Sequence, residues 1–172
     1  MAFLLNCRIL RRILKMKITL LTVGKTEDAY IKDGIEKYAK RLKHYIKTEL
    51  VDLPELKNTK ALTFEQQKTK EAELILKKIS ATDHVVLLDE KGAEYTSAQF
   101  AAYIDKKGIS SVQNLVFIVG GPYGFDAAVY ERANDKISLS RMTFSHQMVR
   151  LFFVEQLYRA FTIIKGEPYH HE

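Results

Sequence analysis

Leu115-Val116-Phe117-Ile118-Val119-Gly120-Gly121-Pro122-Tyr123-Gly124 (LVFIVGGPYG) decides how this chain folds. Its first half is an unbroken apolar, β-branched run, the pattern of a strand buried on both faces of a sheet. Three glycines and a proline then force a tight turn at the strand's carboxyl end. Carboxyl ends of strands are where open α/β sheets hold ligands. Without side chains, the turn lets backbone N–H and C=O groups come close to a flat ring. Taken alone, it can equally be a bare strand-to-helix connection. It is not a dinucleotide fingerprint, since the spacing differs and Pro122 removes an amide donor.

Working outward, His84–Leu88 (HVVLL) is a second continuous apolar strand, followed by Asp89-Glu90-Lys91-Gly92. Lys17–Val23 and Thr48–Leu53 read as further strands, and Ile137–Leu139 as a short last one. Helical periods lie between them. Ile31, Ile35, Tyr38, Leu42 and Ile46 form one apolar stripe on a lysine-rich segment. Thr63 with Gln66, and Thr96 with Gln99, are capping boxes that open two more helices, to about Ile79 and through Ile104, with Gly108 at the end of the second. A short helix is expected near Ala127–Ala133 and a long one from His146 to Ile164, stopped by Gly166 and Pro168. Alternating strands and helices predict an α/β domain with a parallel sheet and helices on both faces.

The chain has 172 residues, 47% hydrophobic and 28% charged, the balance of one globular domain. No apolar run is long enough to span a bilayer. Met1–Lys15 contains Arg8, Arg11, Arg12 and Lys15 and no acid, so residues 16–172 carry +2 of the total +6. Net charge therefore carries no nucleic-acid argument. We expect residues 1–15 to be an extension outside the fold and residues 16–172 to be a single domain. The other reading of the extension is a short basic amphipathic helix at a membrane surface. Cys7 lies in the extension, so the body has no disulfide and no cysteine-ligated metal, which suits a reducing cytoplasm.

Several constellations bear on chemistry. Val23-Gly24-Lys25-Thr26 looks like the end of a phosphate-binding loop, but Thr19 occupies the position of the required earlier glycine. Thr26 is expected to cap the following helix instead. Asp89 and the loop Leu139–Phe144 should face the same sheet edge as Gly120, so three strand ends converge on one pocket. The last helix is apolar nearly all round, from Leu151, Phe152, Phe153 and Val154 to Leu157, Phe161, Ile163 and Ile164. It must be the centre of a large core or be shared with a second subunit, and a homodimer suits a chain this small. On that helix His146 and Arg150 share a face, as do Glu155 and Arg159, the latter spaced for an intrahelical ion pair. Tyr169 and His170 at the terminus can stack on a nucleobase and bond its edge. His170 and His171 are poorly placed to share a metal.

Taken together, Phe117–Gly124 (FIVGGPYG), Ser138–Gln147 (SLSRMTFSHQ) and Glu155–Ala160 (EQLYRA) with Tyr169-His170 resemble the bacterial large-subunit ribosomal RNA methyltransferase H family of the SPOUT superfamily. The resemblance covers Met16–Glu172. It implies a C-terminal trefoil knot, a rare exception to unknotted topology. It also implies a homodimer that uses S-adenosylmethionine, without a metal, to methylate N3 of a pseudouridine in helix 69 of 23S rRNA in the ribosome, with neither membrane nor DNA as partner. Carried over residue by residue, cofactor contacts fall on Leu88, Gly120, Leu139, Ser140, Arg141, Met142, Thr143 and Phe144. Substrate-side roles fall on His146, Arg150, Tyr169 and His170. His171 stands where relatives commonly carry Arg or Lys. Two rival readings are a non-enzymatic RNA-binding protein, which leaves the glycine turn idle, and a nucleotide hydrolase, which lacks its P-loop.

Overall fold

The computed structural model describes residues 16–110 and 112–169. The expected extension at residues 1–15 and the expected roles of His170 and His171 lie outside the described residues. Five strands, β1 (Lys17–Val23), β2 (Lys47–Leu53), β3 (His84–Glu94), β4 (Asn114–Val119) and β5 (Asp135–Ser138), form one parallel sheet in the order β2-β1-β4-β3-β5. The helices are α1 (Ala29–Leu42), α2 (Phe64–Lys78), α3 (Ser97–Ile109), α4 (Ala127–Arg132) and α5 (His146–Lys165).

Strand periodicity sorts the core into two layers. Val86 and Leu88 of β3 join Leu115, Phe117 and Val119 of β4 against α1, α3 and α5. Val85, Leu87, Val116 and Ile118 point the other way, toward Ala72 and Ile75 of α2 and Val129 of α4. The continuous apolar runs of β3 and β4 follow from this, since both faces of the sheet are covered.

Both capping boxes form as expected, with Thr63 accepting from the Gln66 amide and Thr96 from the Gln99 amide. Thr26 does not cap α1. Asp28 occupies that position, and the Thr26 hydroxyl instead accepts from Arg150 Nη1 at 3.1 Å. β3 continues beyond Leu88 to Glu94. Leu88 and Ala93 both register with Ile137 of β5, so Asp89–Gly92 bulge out of the ladder. A Cβ at Gly92 would stand 2.5 Å from the Ile137 backbone, so a glycine is what allows the chain to pass there.

The apolar helix α5 is largely absorbed by one chain. Phe153, Val154, Leu157, Ala160 and Phe161 are buried against α1 and α3, while Phe152 remains 38% exposed. Ser145 caps its start by accepting from the Met148 amide, and Gly166 ends it in a left-handed conformation (φ +68°).

Candidate active site

The carboxyl ends of β3, β4 and β5 surround a cleft of about 530 Å³. Leu88, Asp89, Glu90 and Lys91 line it from the β3 end, Val119–Phe125 from β4, and Ile137–Ser140 with Met142–Phe144 from β5. Tyr130 of α4, His146 and Val149 of α5, and Lys68 of α2 complete the wall. The convergence expected from the sequence is therefore present in the geometry.

The β4 turn is built as its residues dictate. Gly124 N–H donates to Gly121 O at 3.2 Å across a four-residue turn with Pro122 second, and Gly124 takes φ +78°. The backbone of Gly120 and Gly121 is thereby bared toward the cleft. A Cβ at Gly120 would lie 3.0 Å from the Phe125 ring, so this position has little room for a side chain. At the rim, Tyr123 stacks on Phe64, with ring centroids 4.2 Å apart.

The loop after β5 is held locally. Ser138 Oγ donates to Ser140 O at 2.8 Å, and the Met142 amide donates to Ser140 Oγ at 2.9 Å. Leu139, Ser140, Met142, Thr143 and Phe144 face the cleft. Arg141 does not. Its Nε lies 3.0 Å from both carboxylate oxygens of Glu94, outside the wall. Phe144 packs on Phe152 of α5, with centroids 4.9 Å apart.

His146 lines the cleft. Burial lowers its pKa below the usual imidazole range, and the nearby Arg150 guanidinium lowers it further. Its ring therefore favours the neutral form that can accept a proton. Arg150, four residues on, is buried and does not line the cleft. Its guanidinium donates to Val23 O at 2.8 Å, to Gly24 O at 3.0 Å, to Thr26 Oγ1 and to His146 O at 3.2 Å. The shared face anticipated for His146 and Arg150 thus separates into one residue at the cleft and one that ties α5 to the end of β1.

Tyr169 also stands off the cleft. After Gly166 the Glu167 amide donates to Thr162 O, and the chain folds back along α5 instead of over the strand ends. The Tyr169 ring meets Tyr158 edge-on at 4.8 Å, and its hydroxyl reaches Glu155 Oε1 at 3.2 Å. Glu155 is nine residues from His146, roughly 13 Å along a helix rising 1.5 Å per residue. Glu155 and Arg159 form the expected ion pair, at 2.6 Å.

Some cleft residues escaped the sequence reading. Tyr130 donates a short hydrogen bond to Asp89, and burial with this contact raises its pKa, so the phenol stays protonated. The spacing of so short a helix as α4 gave no signal for Tyr130, and Lys68 reads as one of several lysines on the charged helix α2.

Residues 16–170 match the family described as "Predicted SPOUT methyltransferase". The chain is 57% identical over 157 residues to the ribosomal RNA large subunit methyltransferase H of Parabacteroides distasonis, covering 91% of this chain and all of the relative. It is 58% identical over 156 residues to the protein of that name from Cytophaga hutchinsonii, and 54% over 157 residues to that from Flavobacterium johnsoniae, with the same coverage.

Proposed function

The chain belongs to the SPOUT methyltransferase family, and from that premise we propose that it methylates N3 of a pseudouridine in helix 69 of 23S rRNA, with S-adenosylmethionine as donor. The observation that carries the reading is the meeting of three parallel strand ends in one cleft, in a chain more than half identical to proteins named ribosomal RNA large subunit methyltransferase H. A volume of about 530 Å³ lies within the ordinary range of small-molecule sites. Leu88, Val119 and Ile137 offer apolar walls for a flat purine, and the Gly120 turn and the Leu139–Phe144 loop offer backbone groups to bond its edge. When bound, the donor supplies a methyl group already activated on a sulfonium.

The protein's own work is then to align the acceptor, exclude water and move one proton. Pseudouridine N3 is an imide N–H and a poor nucleophile until it is deprotonated. His146 is the cleft-lining imidazole kept neutral by burial and by Arg150, and it accepts that proton. Arg150 acts at one remove, holding the first turn of α5 to the end of β1. We further read the enzyme as a cytoplasmic homodimer with a C-terminal trefoil knot. Two features support a second copy: Phe152 is exposed beside the cleft residue Phe144, and Tyr169 lies off its own cleft, so that the Tyr169-His170 tail serves the partner's site.

Incubation with ribosomes and labelled S-adenosylmethionine, followed by mass spectrometry of nucleosides, tests the whole. One N3-methylated pseudouridine from helix 69 is expected. Ribosome binding without donor binding or methyl transfer would overturn the enzymatic reading in favour of an RNA-binding protein.

A further inference from the structure

Among the described residues, the buried charged side chains are Arg150 and Glu71, and both act on backbone at neighbouring strand ends. Arg150 donates to carbonyls at the end of β1. Glu71, on α2, does the converse behind the end of β4. Gly121 N–H donates to its carboxylate, and Gln67 Nε2 donates to Oε1 at 2.9 Å. A Cβ at position 121 would stand 2.5 Å from Glu71 Oε2 and 2.8 Å from Oε1, so carboxylate and turn backbone are in direct contact with no space for a side chain between them. Burial raises the pKa of this carboxyl, and the two N–H donors oppose the rise. Desolvating a carboxylate is costly, and Glu71 sits beside Ala72 and close to Ile75, where an apolar residue would pack without that cost. What the charge provides is a hold on Gly121.

We propose that Glu71 is a positioning residue for the methyl donor: from behind the cleft it pins the Gly121 amide and so fixes the Gly120–Gly121 backbone against which the donor lies. This rests on the reading of the cleft as the S-adenosylmethionine site. Glu71 itself does not line the cleft. The Gly124-to-Gly121 bond closes the turn on itself, and Glu71 anchors the closed turn to α2. Without that anchor the turn keeps its shape but loses its place.

The test is calorimetry with S-adenosylmethionine, together with methyl-transfer kinetics on ribosomes, for the wild type, Glu71→Ala, Glu71→Gln, Gly121→Ala and the Glu71→Ala/Gly121→Ala pair. Loss of a buried charged hydrogen bond corresponds to roughly 10- to 100-fold. Glu71→Ala should raise Kd and KM for the donor by about that factor, with kcat little changed. Glu71→Gln keeps one acceptor oxygen and should recover part of the loss. Gly121→Ala should weaken binding through its contact with the carboxylate, and the double variant should bind no worse than Glu71→Ala alone. A Glu71→Ala enzyme with unchanged donor KM, or with a lower thermal midpoint and lower kcat at unchanged KM, overturns the proposal. If Glu71→Ala fails to fold, donor KM unmoved in both Glu71→Gln and Gly121→Ala overturns it instead. A wild type that binds no donor overturns the cleft assignment and this inference with it, an outcome distinct from all the others.

Discussion

The two ends of the same parallel sheet carry polar clusters of opposite character. At the amino ends, Asp135 accepts from Lys107 Nζ and Tyr103 OH, each at 2.8 Å, and lies 2.7 Å from His84 Nε2. Around it, Asn114 donates to Asp83, and Arg132 donates to the carbonyls of Ser80 and Asp83. Histidine, aspartate, lysine and tyrosine in contact look more like an active centre than LVFIVGGPYG does. Yet their bonding capacity is spent on one another, whereas at the carboxyl ends the glycine backbone and His146 face an open cleft. Unspent hydrogen-bonding capacity at a concave surface separates a site from a staple; residue type alone does not.

The largest effect should come from closing the open end. Gly120→Val places a branched side chain where the donor should lie and presses on the Phe125 ring, already 3.0 Å from a Cβ at that position. Calorimetry should detect no S-adenosylmethionine binding while the far-ultraviolet circular dichroism spectrum persists. Unchanged affinity would erase the distinction between the two ends.

Deleting residues 169–172 should come next. Tyr169 touches Glu155 and Tyr38 and not its own cleft, so donor affinity should hold while methyl transfer falls by orders of magnitude. Near-normal turnover by the truncated chain would leave the tail a packing element and put the chemistry on His146.

His146→Ala should slow transfer about 100-fold, within the usual contribution of a general base. Folding lowers the pKa of His146, so the neutral ring persists below the ordinary value of about 6.5. Activity should therefore hold as pH drops through that value and decline only at the more acidic folded pKa. A wild-type profile that falls at or above about pH 6.5 would contradict the role.

How far the sequence reaches follows the range of each interaction. Capping boxes at Thr63 and Thr96 involve partners three residues away, and the runs in β3 and β4 announce their own burial, so the elements were legible, while the last strand, expected at Ile137–Leu139, starts and stops earlier, at Asp135–Ser138. Arg150 was not, because its partners at Val23 and Gly24 are 127 and 126 positions distant. The continuation of β3 to Glu94 depends on pairing with β5 across the bulge, and Gly92 gave no local sign of it. Glu71 reads as one more acid on a charged helix until Gly121 is seen against it. The Leu139–Phe144 loop was legible as a strand-end loop at the same sheet edge as Gly120, but its residue-by-residue cofactor role came only through motif resemblance, and Arg141 is the member that turns out toward Glu94.

The smallest effect on activity should come from the spent end. Asp135→Ala leaves His84, Lys107 and Tyr103 without their shared acceptor. Partly buried donors left unpaired cost about 2 kcal/mol, discounted here because the carboxylate is a third exposed. Urea denaturation should show that loss while kcat/KM with ribosomes stays at the wild-type level. The sign with pH follows from the same contacts. Burial works against the charged carboxylate, but bonds from Lys107, His84 and Tyr103 outweigh it and hold the pKa of Asp135 below the ordinary carboxylate range. Its contribution is fully present above about pH 3.9 and vanishes as pH falls through the folded value. The stability gap between wild type and Asp135→Ala should accordingly be constant from neutrality to mild acid and narrow in strong acid. A variant that keeps full stability but loses turnover would invert the comparison and move the functional centre to the amino ends of the strands.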